Sequence, residues 1–192
     1  HFNQASEIRA LREQNIELER SVTLLSAFAY KLDALLNEQN STKFTPNIQL
    51  VRALSYMNIG DHDKVWIDFD EFDENKIYGL ISQGKTAGIV INKDGSPLAL
   101  LQTDPKSTFS VSIGEQRIAG IATGNGKNIV VKFIAQWLSP KVGDEVYTSG
   151  LDGIFFSGVP VGKITKVYEV ERYKSAIVEA DLKIQVPSYL YV

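Results

Sequence analysis

Hydrophobic positions recur along this chain with two different periods, and the change of period divides it. From residue 8 to residue 36 the period is seven. Leu11, Leu18, Leu25 and Leu32 form one row, taken as d, and Ile8, Asn15, Val22, Ala29 and Leu36 fall in the matching a row. Apolar residues at a and d over about four heptads predict a coiled-coil helix, and these nine positions are the expected dimer contact. Asn15 is the polar member of the a row. A lone Asn there lowers stability but fixes the register of a two-stranded parallel coil. Leu24, Phe28 and Leu35 lie outside the ladder and widen the apolar face, as in a helix docked on its own domain. The regular leucine spacing favours self-association over that arrangement. The period ends between Asn37 and Ser41, so residues 1–40 are assigned to the helix and 41–46 to a polar hinge. At 1.5 Å per residue a helix from Ser6 to Leu36 is roughly 45 Å long.

From Asn47 the period becomes two. Strands are expected at 48–51, 53–56, 65–69, 77–81, 87–91 and 98–102, then at 109–113, 118–123, 129–134, 145–148, 161–167 and 176–184. Turn pairs separate them. Gly60-Asp61-His62-Asp63 reads as a turn, Asp94-Gly95 as a hairpin, and Asn125-Gly126 as a type I′ hairpin. Short strands with turns every eight to twelve residues indicate barrels or sandwiches, and no alternation of strands with helices appears. There is a faint internal echo. Ala87-Gly88-Ile89-Val90 resembles Val161-Gly162-Lys163-Ile164, each at a similar place in a six-strand unit. The expected fold is therefore mainly β with an N-terminal α-helix: a coiled-coil helix followed by two small six-stranded β-barrels, one over 47–105 and one over 106–192. Terminal strands are free to cross between the barrels.

Gly143 to Gly162 is the densest stretch: G-D-E-V-Y-T-S-G-L-D-G-I-F-F-S-G-V-P-V-G. Two strands flank a broad glycine-punctuated loop that carries Phe155 and Phe156. Adjacent residues on such a segment cannot both point inward. Small barrels also cannot bury nine Phe, eight Tyr and two Trp. Phe109, Tyr147, Phe155, Phe156 and Tyr168, all at or near loop ends, are the expected partner-binding residues. Of the two adjacent rings, Phe155 is the expected core plug and Phe156 the expected contact.

Composition narrows the functional classes. Lys and Arg number 20 against 23 Asp and Glu, a net charge of −3 with no basic block, which argues against nucleic acid. There is no Cys, hence no disulfide framework or thiolate chemistry. No run of apolar residues is long enough to span a membrane. Catalytic and cofactor motifs are incomplete. Three consecutive side chains in Asp61-His62-Asp63 do not converge on a metal. A phosphate loop ending at Gly126-Lys127 would need Gly at 121 and Ser or Thr at 128, where Ile121 and Asn128 stand. The acidic run Asp68 to Asp73 has Phe72 at the fifth position of a calcium loop. A hydrolase triad of His62, an Asp and Ser149 keeps a workable chain order, but Ser149 lacks the Gly-Asp-Ser-Gly setting. No catalytic residue, metal site or cofactor is assigned.

The pattern G-D-x-V-x-T-S-G-x-x-G-I-F-x-x-G-x-P-V-G-x-I-x-x-V, from Gly143 to Val167, resembles the signature of the MreC family of bacterial rod-shape-determining proteins. Ala87 to Val90 with Ala99 to Pro105, and Ile118 to Gly124, are similar to further family pieces. The resemblance covers about the last two thirds of the chain, and the heptad region fits it. It implies the same helix and two six-stranded barrels. It also implies a non-enzymatic periplasmic scaffold of the cell-elongation machinery, with a transmembrane helix upstream in the inner membrane. The implied partners are the elongation penicillin-binding transpeptidase, MreB, MreD and a second copy of the chain. Two alternatives are a chymotrypsin-like double-barrel hydrolase and a coiled-coil-tethered periplasmic adaptor. A serine-directed fluorophosphonate that labels Ser149 identifies the first. The second needs two antiparallel helices, and one is visible.

The heptad ladder yields a test. Removing a well-packed core leucine costs about 2–5 kcal/mol, so Leu18→Asp combined with Leu25→Asp is expected to give monomers in analytical ultracentrifugation. A wild-type chain already monomeric at high concentration rules out dimerisation by this ladder.

Overall fold

The computed structural model describes residues 2–37, 49–58, 61–182 and 189–191. Among these residues one helix, α1 (Phe2–Asn37), precedes twelve strands. These are β1 (Leu50–Asn58), β2 (Asp61–Asp68), β3 (Tyr78–Ser82), β4 (Lys85–Lys93), β5 (Ser96–Leu101), β6 (Thr108–Ile113), β7 (Ile118–Gly124), β8 (Ile129–Ala135), β9 (Glu145–Thr148), β10 (Pro160–Val170), β11 (Tyr173–Ala180) and β12 (Tyr189–Tyr191). The proposed hinge at 41–46 and the last helical assignments, 38–40, lie outside the described residues. No described helix is long and apolar enough to cross a membrane.

The strands are all antiparallel and arranged in two rings. The second runs β10-β11-β8-β7-β6-β9, and ladders of at least three registered pairs join its neighbours. The first runs β1-β12-β3-β4-β5-β2, and among the described residues its β12–β3 seam is registered by Tyr191 with Ile81. Two expectations are corrected here. The separate strands at 48–51 and 53–56 are one strand, β1, kinked by a bulge between Ala53 and Ser55 that turns Leu54 outward. An extra residue in one strand shifts the alternation by one, so a continuous strand reads as two. The sixth strand of the first ring is instead β12, which returns from the chain's last residues and pairs with Leu50–Arg52. The other correction is at His62. Asn58 pairs with Asp61, so Asp61 and His62 belong to β2 rather than to a turn, and residues 59–60 lie outside the described residues.

Burial explains why some strands alternate and others do not. In β7 the pattern is close to strict alternation, with Ile118, Gly120 and Ala122 inward and Ala119 and Ile121 outward. That is a barrel wall with water on one side. In β3 and β5, and over much of β4, nearly every residue is buried. The two faces of these strands serve two cores. Leu80, Val90, Ala99 and Leu101 join Val51, Val65, Ile67 and Phe69 inside the first barrel. Ile81, Ile89, Leu98 and Leu100 join Phe109, Val111, Ile134, Val161 and Ile164 in a cluster that extends through the second. The second barrel's core therefore takes in the outer face of β3–β5, while the interior of the first barrel forms a separate cluster.

The internal echo has a geometric counterpart. A Cβ at Gly88 would lie 2.0 Å from the Leu100 carbonyl oxygen, and one at Gly162 would lie 2.1 Å from that of Glu179. In both barrels a glycine lets the neighbouring strand's backbone cross at close range.

Helix α1 touches the shared core through Ile16. Ile8, Leu11, Leu18, Val22 and Leu25 are each more than half exposed in the single chain, and Asn15 is exposed beside them. The side chains of Ala29, Leu32 and Leu36 lie outside the described residues.

Gly162→Ala is expected to lower stability by at least about 2 kcal/mol, because the colliding atom is backbone and cannot rotate away. For a chain of this size that is a fall of roughly 4–8 °C in Tm, readable by circular dichroism.

Candidate functional site: the strap between the barrels

Residues 149–159, between β9 and β10, form a strap that reaches from the second barrel to the first. Its roots are braced by side chains. The buried Thr148 hydroxyl donates to the Phe156 carbonyl at 2.7 Å and accepts the Val159 amide at 3.0 Å. Asp152 accepts the Ser110 amide at 2.6 Å with one carboxylate oxygen and the Ile154 amide at 3.1 Å with the other. Asp152-Gly153 makes the turn seen in the sequence, with Gly153 at a φ of 72°.

The strap delivers Phe155 into the barrel–barrel junction. The ring is 5 % exposed and meets Phe109 edge to face at 5.0 Å between centroids. A Cβ at Gly79 would lie 2.4 Å from the Phe155 ring, so β3 presents bare backbone to it. Beside the ring, the Gly79 amide donates to the Ile154 carbonyl at 2.9 Å. A ring filling a slot against a glycine and a hydrogen bond shielded from water reinforce each other. The bond would otherwise leave a buried carbonyl unsatisfied.

The linker between β5 and β6 is equally tied down. Gln102 and Asp104 are buried. Asp104 pairs with Lys64 at 2.9 Å and accepts the Lys106 amide at 2.8 Å. The Thr103 hydroxyl donates to Asp63 at 2.7 Å, and the Thr103 carbonyl accepts the Gly126 amide of the second barrel at 2.8 Å. This last contact corrects the expected type I′ hairpin at Asn125-Gly126. Residues 125–128 form a longer loop in which Gly126 alone has positive φ, while the Asn125 side chain accepts the Lys127 and Asn128 amides. The loop is shaped to reach the linker.

The expected partner-binding residues do not form one patch. Phe109 and Phe155 are buried against each other and belong to the core, so neither is a surface contact. Phe156 is half-buried and lines a cleft of about 640 Å³ between the barrels. One wall of that cleft is Asn75 to Gly79 of the first barrel, and the other is Asp152 to Phe156 of the strap. Tyr147 lines a separate cavity of about 650 Å³ with Glu115, Arg117 and Lys141, and its hydroxyl donates to Glu145. Tyr168 lies on β10 opposite Ser175, with the Lys166 ammonium 6.0 Å from its ring.

One aromatic cluster has no signal in the alternation. Phe133 sits at a φ of 60° in β8 and is 58 % exposed, with Tyr173 edge-on at 5.5 Å. Counting by twos from Val131 would turn Phe133 inward. The bulge that shifts the β11–β8 register beside it turns the ring out instead. Trp137, just beyond, is 84 % exposed.

The triad residues stay apart in role. The Ser149 hydroxyl accepts the Leu151 amide, and His62 stacks edge-on against Tyr56 on the first barrel. Among the described residues no group of three or more His, Asp or Glu is placed to hold a metal ion.

Phe155→Ala is expected to cost about 3–5 kcal/mol, since it opens a cavity in the shared core. Phe156→Ala, only half-buried at the edge of that cluster, should cost less than that. Urea unfolding of the two variants measures both values.

Comparison with known proteins fits this architecture. The family model "Rod shape-determining protein MreC, barrel core" matches residues 76–192. A curated relative, the cell shape-determining protein MreC of Haemophilus influenzae, is 26% identical over 188 residues; the match takes in 91% of this chain and 51% of the relative. The chain thus spans about half the length of that relative. Among solved structures, a complex between penicillin-binding protein PBP2 and MreC from Helicobacter pylori contains a chain 31% identical, with a TM-score of 0.71 over 76% of this chain and 96% of that one. The major periplasmic domain of the cell shape-determining filament MreC superposes with a TM-score of 0.63 at 20% identity, over 78% and 97%. With the barrel-core match covering the strap, the shared core and every strand from β3 onward, the chain belongs to the MreC family of rod shape-determining proteins.

Proposed function

We propose that this chain is the periplasmic part of a non-enzymatic scaffold of the cell-elongation machinery. It links the cytoplasmic shape apparatus, MreB and MreD, to peptidoglycan synthesis and so maintains cell shape. An upstream transmembrane helix holds it to the inner membrane. Its partner on the periplasmic side is the elongation penicillin-binding transpeptidase. The observation that carries this reading is the 31% identical relative, which was solved in a complex with a penicillin-binding protein.

The mechanism is binding rather than turnover. Pairing of the exposed ladder from Ile8 to Leu25, continued by Ala29, Leu32 and Leu36, sets the geometry of a homodimer. The barrels then present contacts to partners, of which Phe156 is the principal one, with Tyr147 and Tyr168 as secondary contacts on the second barrel. A half-buried ring in a cleft can gain further burial on binding, and an aromatic anchor typically contributes about 2 kcal/mol or more to an interface.

Phe156→Ala is therefore expected to weaken binding to the soluble region of the transpeptidase roughly thirtyfold, the factor that corresponds to about 2 kcal/mol. Calorimetry of wild type and variant at matched salt measures it. Unchanged affinity with an unchanged melting temperature moves the interface elsewhere.

A further inference from the structure

We propose that the seat of Phe155 against Gly79 controls presentation of Phe156, so that a partner bound at the cleft reads the packing of one barrel on the other. The inference rests on the reading of Phe156 as a partner contact. Its basis is that the cleft belongs to neither barrel alone. Lys76, Ile77 and Tyr78 supply one wall from the first barrel, and Ile154 and Phe156 supply the other from the strap of the second. A segment entering it touches both barrels at once.

The strap joins the walls through two adjoining contacts. One is the Phe155 ring on the bare backbone of Gly79, and the other is the 2.9 Å hydrogen bond from the Gly79 amide to Ile154. Phe155 and Phe156 are consecutive, so the seat of the first limits where the second ring can lie, half-buried at the edge of the same cluster. At its roots the strap is held by Thr148 and Asp152, both bonded within the second barrel. Those braces hold the Ile154 amide and the Phe156 carbonyl, so releasing Phe155 detaches the strap from β3 without unravelling it. The far wall then no longer faces Phe156. Gly79 is a positioning residue: it lines the cleft but lies under the Phe155 ring, and any side chain there displaces that ring.

Linkage makes the coupling reciprocal. If packed barrels bind the partner better, bound partner must favour packed barrels by the same free energy.

The test uses the whole chain, which contains no natural Cys. Lys93→Cys on the β4–β5 hairpin and Glu115→Cys on the β6–β7 turn, both exposed, carry spin labels for inter-barrel distance measurement. The wild-type distance distribution should be narrow. Gly79→Ala should broaden it and weaken transpeptidase binding at least about tenfold. Saturating transpeptidase should narrow the distribution again. In a Phe155→Ala background, Gly79→Ala should change neither reading further, because the ring it displaces is gone. If Gly79→Ala does not fold, Phe155→Ala carries the test, with the same broadening and loss expected. Phe156→Ala should weaken binding while leaving the distances narrow. If Phe156→Ala binds like wild type, the contact assignment falls. If Phe156→Ala binds weakly but the variant at Gly79 or Phe155 keeps wild-type affinity or a narrow distribution, the coupling falls and the contact stands.

Discussion

The Phe155 ring on the backbone of Gly79 is the constraint around which the two barrels are arranged. Small barrels bury little by themselves, because most side chains on their outer faces meet water. Here the outer face of β3–β5 is covered by the second barrel, and Ile81, Ile89, Leu98 and Leu100 are counted in the second barrel's core as much as in the wall of the first. That sharing requires close approach, and close approach requires a glycine where the strap arrives. The braces at Thr148 and Asp152 then keep the arriving segment in one shape.

The buried polar joint adds selectivity to this packing. Asp104, Lys64, Thr103 and Asp63 form a chain of contacts at the linker between β5 and β6. A buried ion pair contributes little net stability, but breaking one partner leaves a charge stranded. The joint therefore fixes the linker on β2 of the first barrel, and the Gly126 amide on the Thr103 carbonyl ties that linker to the second. The shared apolar core supplies attraction, and the linker supplies register.

Much of this architecture was legible before any coordinates. The change of period at Asn47, the alternation in β7 and the strap from Gly143 to Gly162 follow from side-chain spacing and turn chemistry. Asp94-Gly95, with both φ angles positive, forms the hairpin its residues demand. What was hidden has a common cause. Bulges at Leu54 and Phe133 shift the period by one, so a local count of twos splits one strand and points one ring the wrong way. Double burial of β3–β5 and the shape of the loop at Asn125 depend on what lies across from them, and no local pattern carries that. Of the candidate contacts, the burial of Phe155 and the lesser burial of Phe156 were as adjacency suggested. Phe109 was misplaced, because a ring near a loop end can equally cap a core.

The return of β12 gives the molecule an order of assembly. Strands β6 to β11 are contiguous in sequence, so the second barrel has all its strands once residue 180 is available, and its longest pairings, β6–β9 and β8–β11, span far less chain than β1–β12. The first barrel instead joins Leu50 to Tyr191. Long-range pairing of this kind is slow, since loop entropy is lost before contacts reward it. The second barrel thus serves as a template, and its strap and the wall it covers hold β3–β5 in place while the last strand arrives. A chain that emerges N-terminus first completes its two barrels in the reverse of the order in which they are encoded.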